Sequence, residues 1–287
     1  MRFDSFETFL KDGVSNLPKG PVAMIFAEDL VEVDTTVRHH QSLGFRSILL
    51  FGPQSMELPA GLEDKIYCIT HNTLAPHMLS RTINAMIKAV PPKTWMYYCF
   101  NAEYLFYPFC ETRTILDMLT YHAEERRSAM LTYVLDLYAD DLDRDPSAVS
   151  LENAHLDRSG YYALGRKGPN GDKDRQLDFF GGLRWRFEEH MPATRRRIDR
   201  ISIFQTKPGL EFLEDHTLND EEYNTYSCPW HHNLTAAIGS FRTAKALKSN
   251  AGSTFDIHSF RWHNSVAFEW HSQQLLDLGL MEPGQWF

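Results

Sequence analysis

The sequence predicts an α/β fold, a mostly parallel β-sheet flanked by helices, and three observations carry that reading. Short apolar runs alternate with amphipathic stretches through the first half of the chain, the pattern of strands joined by crossover helices. The apolar runs are uninterrupted enough to read as buried strands. A chain of 287 residues with 43% hydrophobic residues can bury a sizeable core, as one large α/β domain or two small ones.

Taken in order, Asp4 followed by Glu7, with Phe6, Phe9 and Leu10 on one face, predicts a short capped helix. Residues 22–27 predict a first buried strand, and 29–43 a helix with Gly44 where a C-terminal cap belongs. Residues 48–51 and 65–69 predict the next two strands. In 76–90 the positions of Met78, Leu79, Ile83, Met86, Ile87 and Val90 follow the helical period. A fourth strand is expected at 95–100, a helix at 114–125 and a strand at 130–137. Sheets of this kind bind ligands outside the carboxyl ends of their strands, so a site is expected after Phe26, Phe51, Cys99 and Leu137.

From 139 to 200 the chain turns polar, with DDLDRD, GRKGPNGDKDR and RRRIDR, and reads as a long, lid-like excursion from the sheet. A strand at 201–205 and a tail rich in Trp and His at helical spacing follow. With no internal repeat and no clear linker, the expected division is a domain over 1–245 and a C-terminal helical extension over 246–287.

The formal charge of −9 argues against non-specific nucleic-acid binding, which needs a basic surface. Cys68, Cys99, Cys110 and Cys228 form no C-x-x-C pair, so reduced thiols are expected rather than a zinc site or disulfides. The start MRFDSFETFLKDG places acids where a signal peptide has its apolar core, and no apolar run approaches the ~20 residues of a membrane span. The expected location is cytoplasmic, and any contact with a membrane would be peripheral.

Three stretches together resemble the family 2 glycosyltransferases, in particular a bacterial subgroup. They are VRHHQSLGF (37–45), WMYYCFNAEYLFYP (95–108), and LDLY (135–138) taken with GGLRWRF (181–187). The resemblance covers most of 20–245 and implies a GT-A (Rossmann-like) fold that transfers a sugar from a nucleotide-sugar donor. The implied acceptor is a glycan, lipid-linked or protein hydroxyl. His216 falls roughly where the family places a late histidine. The family's Asp-x-Asp pair, which holds a divalent cation on the donor's diphosphate, corresponds here to Phe100 and Ala102. Neither residue can ligate a hard cation, so no metal site and no firm cofactor are expected, only the nucleotide-sugar donor. The 52–56 loop lacks the family's Asn-Asp-x-x-Asp-Gly character, and Ser240-Phe241-Arg242 stands where His-Phe-Lys is frequent.

Glu103, just past a strand end, is the candidate to accept the acceptor's proton, and Asp136 to orient a hydroxyl or an arginine. For each, a structural carboxylate is the competing role. Read as a strand, 183–187 puts Arg184 and Arg186 on one face, suited to a diphosphate. Pairing of these arginines with nearby acids is the competing role. Asn101, His216 and Arg242 complete the expected donor-binding set. Asp141-Leu142-Asp143 reads as a solvated acidic loop rather than a relocated metal motif. Trp230-His231-His232, His258, His263 and His271 read as core or surface histidines rather than a zinc site. A non-catalytic binding or assembly protein on the same scaffold is the alternative to the enzyme.

Overall fold

In a computed structural model, which describes residues 1–226 and 233–286, the chain forms an α/β fold. Its strands are β1 Arg2–Phe3, β2 Val22–Phe26, β3 Ser47–Gly52, β4 Tyr67–Thr70, β5 Trp95–Phe100, β6 Glu103–Phe106 and β7 Ala129–Asp136. They continue as β8 Tyr138–Ala139, β9 Ala154–Asp157, β10 Tyr162–Gly168, β11 Gly171–Phe180, β12 Asp199–Gln205, β13 Ala236–Ser240 and β14 Ser265–Ala267. The helices are α1 Phe6–Thr8, α2 Val33–Ser42, α3 Met78–Ala89, α4 Ile115–Glu124, α5 Leu183–Arg186, α6 Arg242–Ser249 and α7 Ser272–Asp277.

The chain divides into two compact units. The first comprises Met1–Ala102, Thr112–Met130 and Ile201–Asn224; the second comprises Glu103–Glu111, Leu131–Arg200 and Thr225–Phe287. The expected tail is part of the second unit, where it supplies the end of α6, the strand β14 and the helix α7.

In the first unit the strands expected at 22–27, 48–51, 65–69 and 95–100 lie in one sheet. Its order is β1-β4-β3-β2-β5-β12, parallel throughout except for the antiparallel pairing of β12 with β5. β2 and β3 are buried along their whole length, which is why their sequences are apolar apart from Ser47 at the start of β3. α4 begins where its sequence says it should. Thr114 accepts from the Asp117 N–H and Asp117 from the Thr114 N–H, a reciprocal capping box. At the start of the chain Ser5, not Asp4, caps α1 by accepting from the Thr8 N–H, and the helix continues as a π-turn over Phe9–Gly13. α2 starts four residues later than expected, because Asp29 and Val31 are drawn instead into bonds with Asn101.

In the second unit β13 pairs parallel with β7 and antiparallel with β6, while β14, β9 and β8 form a separate antiparallel sheet. The excursion expected as loop is largely regular structure. β10 and β11 form a hairpin closed by Pro169 and Asn170, with Gly168 opposite Gly171, so GPNG is a two-residue hairpin turn.

The expected strand at 183–187 is a helix. Gly181 and Gly182 hold φ of +155° and +62°, which ends the extended chain. Leu183 then buries, with Phe187 one turn on, into the cluster formed by Tyr138, Leu142, Ala244, Leu247, Ile257 and Phe260. A helical turn satisfies that i, i+4 pair; a strand would send the two side chains to the same face as Trp185. The tail is anchored by aromatic contacts. Trp270 meets Tyr104 edge-on at 4.9 Å, and Trp286 lies 6.4 Å from Tyr107. His263 and His271 do not share a helix face. The former packs on Trp262 and the latter is the N-cap of α7, its side chain accepting from the Gln273 N–H.

Candidate functional site

The first unit's parallel strands run outward from β2 to β3 and β4, then resume on the other side of β2 with β5. That reversal makes the carboxyl ends of β2 and β5 a topological switch point, where open α/β sheets form a crevice. Asn101 stands directly after β5, with no solvent exposure. Its Oδ1 accepts from the Glu28 N–H at 2.9 Å, while its Nδ2 donates to Asp29 Oδ1 at 2.6 Å and to the Val31 carbonyl at 2.8 Å. One buried amide therefore fixes the loop that follows β2.

The next residue, Ala102, is buried at φ +59°, and its N–H donates to Thr36 Oγ1 at 2.9 Å. Thr36 in turn donates to the carbonyl of Glu32, itself at φ +55°. Two non-glycine residues in the left-handed region beside one asparagine are conformations that cost energy and persist only where surrounding bonds enforce them. Thr73 ties in the loop after β4 by donating to the Ala27 carbonyl at 2.6 Å. Phe100 and Ala102 contribute no oxygen to this edge. Phe100 instead packs 6.2 Å from Phe26.

His216 belongs to the first unit but does not join Asn101. Its ring stacks on Tyr98 with a 9° interplanar angle, and its Nδ1 lies 2.9 Å from the Tyr98 hydroxyl. That contact is at the middle of β5, roughly 10 Å along the strand from Asn101.

The second unit gathers Glu103, Asp136, Arg184 and Arg242 around the β7, β13 and β6 strands. Glu103 has no solvent exposure. Its Oε2 accepts from Arg200 Nη1 at 2.9 Å and its Oε1 from Ser240 Oγ at 3.0 Å. Asp136, at 1% exposure, accepts from the Arg184 N–H at 3.2 Å and from Arg184 Nε at 3.3 Å. Arg184 also donates to Thr243 Oγ1 and to the Arg197 carbonyl. Burial lowers the Arg184 pKa; Asp136 and Glu103 oppose that effect, and Arg200 and Arg242 reinforce it. The charges of Asp136, Glu103, Arg200 and Arg242 thus all bear on Arg184.

Both arginines expected to face a diphosphate are paired with carboxylates. Arg186 Nε donates to Asp157 Oδ2 at 2.8 Å and its Nη2 to the Phe260 carbonyl at 2.6 Å, with the guanidinium 4.9 Å from the Trp262 ring. Asp157 is 1% exposed, and burial raises its pKa against the pull of Arg186.

The remaining candidates take structural roles. Asp141 accepts from the N–H groups of Asp143 and Arg144, while Arg144 pairs with Asp140 and Asp145. Cys68 and Cys99 are buried and in no disulfide, and burial pushes the Cys110 pKa up to about 12. Cys228 and Trp230-His231-His232 lie outside the described residues.

Sequence reasoning missed Arg200 and Ser240, the partners of Glu103, which stand 97 and 137 positions away along the chain. A usable signal existed for Arg200, an arginine between Asp199 and Ile201 at the start of an apolar strand. It also missed Asp157 and Tyr161, which sit in what reads as a polar loop. No protein-family model matches this chain, and no curated protein matches it either.

Proposed function

We propose that this chain is a glycosyltransferase-like protein of the GT-A type that transfers a sugar from a nucleotide-sugar donor to a glycan, lipid-linked or protein hydroxyl. The reading is supported by one coincidence of independent lines. The segment that carries the resemblance to family 2 glycosyltransferases, 95–108, turns at Asn101 on the switch point of a parallel sheet. Switch points of this kind are where open α/β sheets bind their ligands.

In this proposal the donor's nucleotide lies against the edge formed by Asn101 and the loop it fixes. Displacement at the anomeric carbon requires positive charge near the leaving diphosphate and a base near the acceptor hydroxyl. Phe100 and Ala102 supply no cation ligands, so that charge would come from arginine side chains. The proposed setting is cytoplasmic; among the described residues no helix is long and apolar enough to cross a membrane.

A second reading has its own observation. Glu103 and Asp136 are both buried and both held by guanidiniums, as structural carboxylates are, which favours a non-catalytic binding protein on the same scaffold. Release of UDP or GDP from a panel of nucleotide sugars, with mixed glycan acceptors, separates the two. Turnover supports the transferase. Saturable donor binding without turnover supports the binding protein. Failure of every nucleotide and nucleotide sugar to bind removes the transferase and favours the non-catalytic protein, whose partners would then be sought among proteins and glycans.

A further inference from the structure

Within the second unit β10 and β11 form a two-stranded sheet of their own, and its two edges differ. The outer side of β11 is taken. The Phe179 N–H donates to Asp199 Oδ1 at 2.8 Å, and the Phe179 carbonyl accepts from the Ile198 N–H at 2.9 Å. Further along, the Arg175 carbonyl accepts from the Tyr226 N–H at 2.6 Å. Among the described residues no backbone bond of this kind reaches the outer side of β10.

The register says which groups that edge presents. Opposed residues of an antiparallel pair either both aim their N–H and C=O at one another or both aim them away. Phe179 aims away from β10, so Ala163 opposite it aims away from β11, and Gly165 does the same two residues on. Tyr162 and Leu164 bond inward and hold the hairpin. Their side chains share one face, at 44% and 56% exposure, with the Tyr162 ring stacked on Phe180 at 5.2 Å. Natural sheets blunt a bare edge with a bulge, a lysine or a proline. Here the bulge between Gly165 and Lys167, and Lys167 itself, blunt only the far half of β10. The near half is apolar and bare.

We propose that β10 is a self-association edge, pairing antiparallel with β10 of a second copy of this chain about a two-fold axis at Ala163. The occupant is a second copy because the segment is complementary to itself. With Ala163 opposite Ala163, their outward N–H and C=O groups exchange both bonds, and Tyr162 of each copy faces Leu164 of the other. Residues 159–165 carry no charge. In this register Arg158 faces Gly168, Arg166 faces Gly160 and Lys167 faces Ser159, so no like charges are opposed. An axis at Tyr162 would set Arg158 against Arg166, and an axis at Leu164 would set Tyr162 against Arg166.

One strand pair buries little surface, so the dimer is expected to be concentration-dependent rather than obligate. Analytical ultracentrifugation of the wild-type chain, 33.3 kDa as a monomer, should show a species of twice that mass growing with concentration. Ala163→Pro removes an N–H that β11 does not use, and Leu164→Lys places on the edge the residue that blocks such pairing in natural sheets. Each should weaken dimerisation by roughly tenfold or more, with circular dichroism and melting temperature close to wild type. Should Ala163→Pro fail to fold, Leu164→Lys, which keeps its backbone bonds to β11, decides the matter. Wild type that stays monomeric up to about 0.2 mM would overturn the proposal and leave the edge to an extended peptide of another protein. Dimers of undiminished affinity in folded Leu164→Lys would overturn it too, by placing the contact on another face.

Discussion

Arg200→Met removes the guanidinium that sits 2.9 Å from Glu103, a carboxylate with no solvent exposure. Methionine keeps most of the volume, so the change isolates charge and hydrogen bonding from packing. Taking one partner from a buried ion pair leaves the other's charge in a low-dielectric interior, at a cost of about 3–5 kcal/mol. Glu103→Gln, which keeps an acceptor for Ser240, should cost a comparable amount by stranding Arg200 opposite a neutral amide. The double variant should recover part of the loss, with a coupling energy of about 1–3 kcal/mol. Equilibrium urea unfolding followed by circular dichroism reads all three, the midpoint falling while the slope is kept. If Glu103→Gln stays within about 0.5 kcal/mol of wild type, as an ordinary surface change does, the structural role argued for Glu103 is wrong. The carboxylate would then be a better candidate for chemistry.

His122 provides a pH prediction in the first unit. It is buried on α4 with Nε2 donating to the Ala129 carbonyl at 2.8 Å, and burial depresses its pKa to about 4. The unfolded imidazole titrates near about 6.5, so the folded state binds fewer protons between the two values. Stability should be fully present above the unfolded value and fall by roughly 3 kcal/mol as pH drops toward about 4. His122→Asn should flatten that acid limb in a series of urea titrations. Arg186→Ala should lower stability by about 3 kcal/mol or more through loss of the Asp157 pair, whereas Arg195→Ala, at an exposed turn, should change it by less than about 0.5 kcal/mol; thermal melts compare the two. Gly182→Ala combines φ +62° with a Cβ 3.0 Å from Asp136 Oδ2, and should cost about 1–3 kcal/mol, read by the same melts.

How far the sequence foretold the fold depended on the range of the interaction involved. β5 runs over Trp95–Phe100 as expected, and α3 and α4 fall within two residues of their patterns, because periodicity and capping are local. α5 was misread because alternation of Arg and apolar residues over five positions fits a strand as well as a helical turn. The double glycine with positive φ, and the burial of Leu183 with Phe187, decide it. The hairpin over 162–180 was hidden because Tyr162, Ala163 and Leu164 are all exposed while Arg166 and Gln176 are buried, so no apolar alternation tracks burial along it. The candidate residues were legible as chemistry and much less as geometry. Asn101 and Glu103 are two positions apart, yet one fixes the loop after β2 while the other is bound to Arg200 and Ser240. Partnerships that distant along the chain leave no trace in spacing.

The central claim is that a nucleotide-sugar donor binds at the switch-point edge held by Asn101. Calorimetric titration of wild type and Asn101→Ala with UDP, GDP and their sugar conjugates tests it most directly, with circular dichroism to establish that the variant is folded. Wild type is expected to bind at least one conjugate saturably. The variant is expected to lose at least roughly tenfold in affinity, about 1.4 kcal/mol, once the bonds to Glu28, Asp29 and Val31 are gone. Equal affinity in a folded variant, or no heat from any nucleotide with wild type, would contradict it.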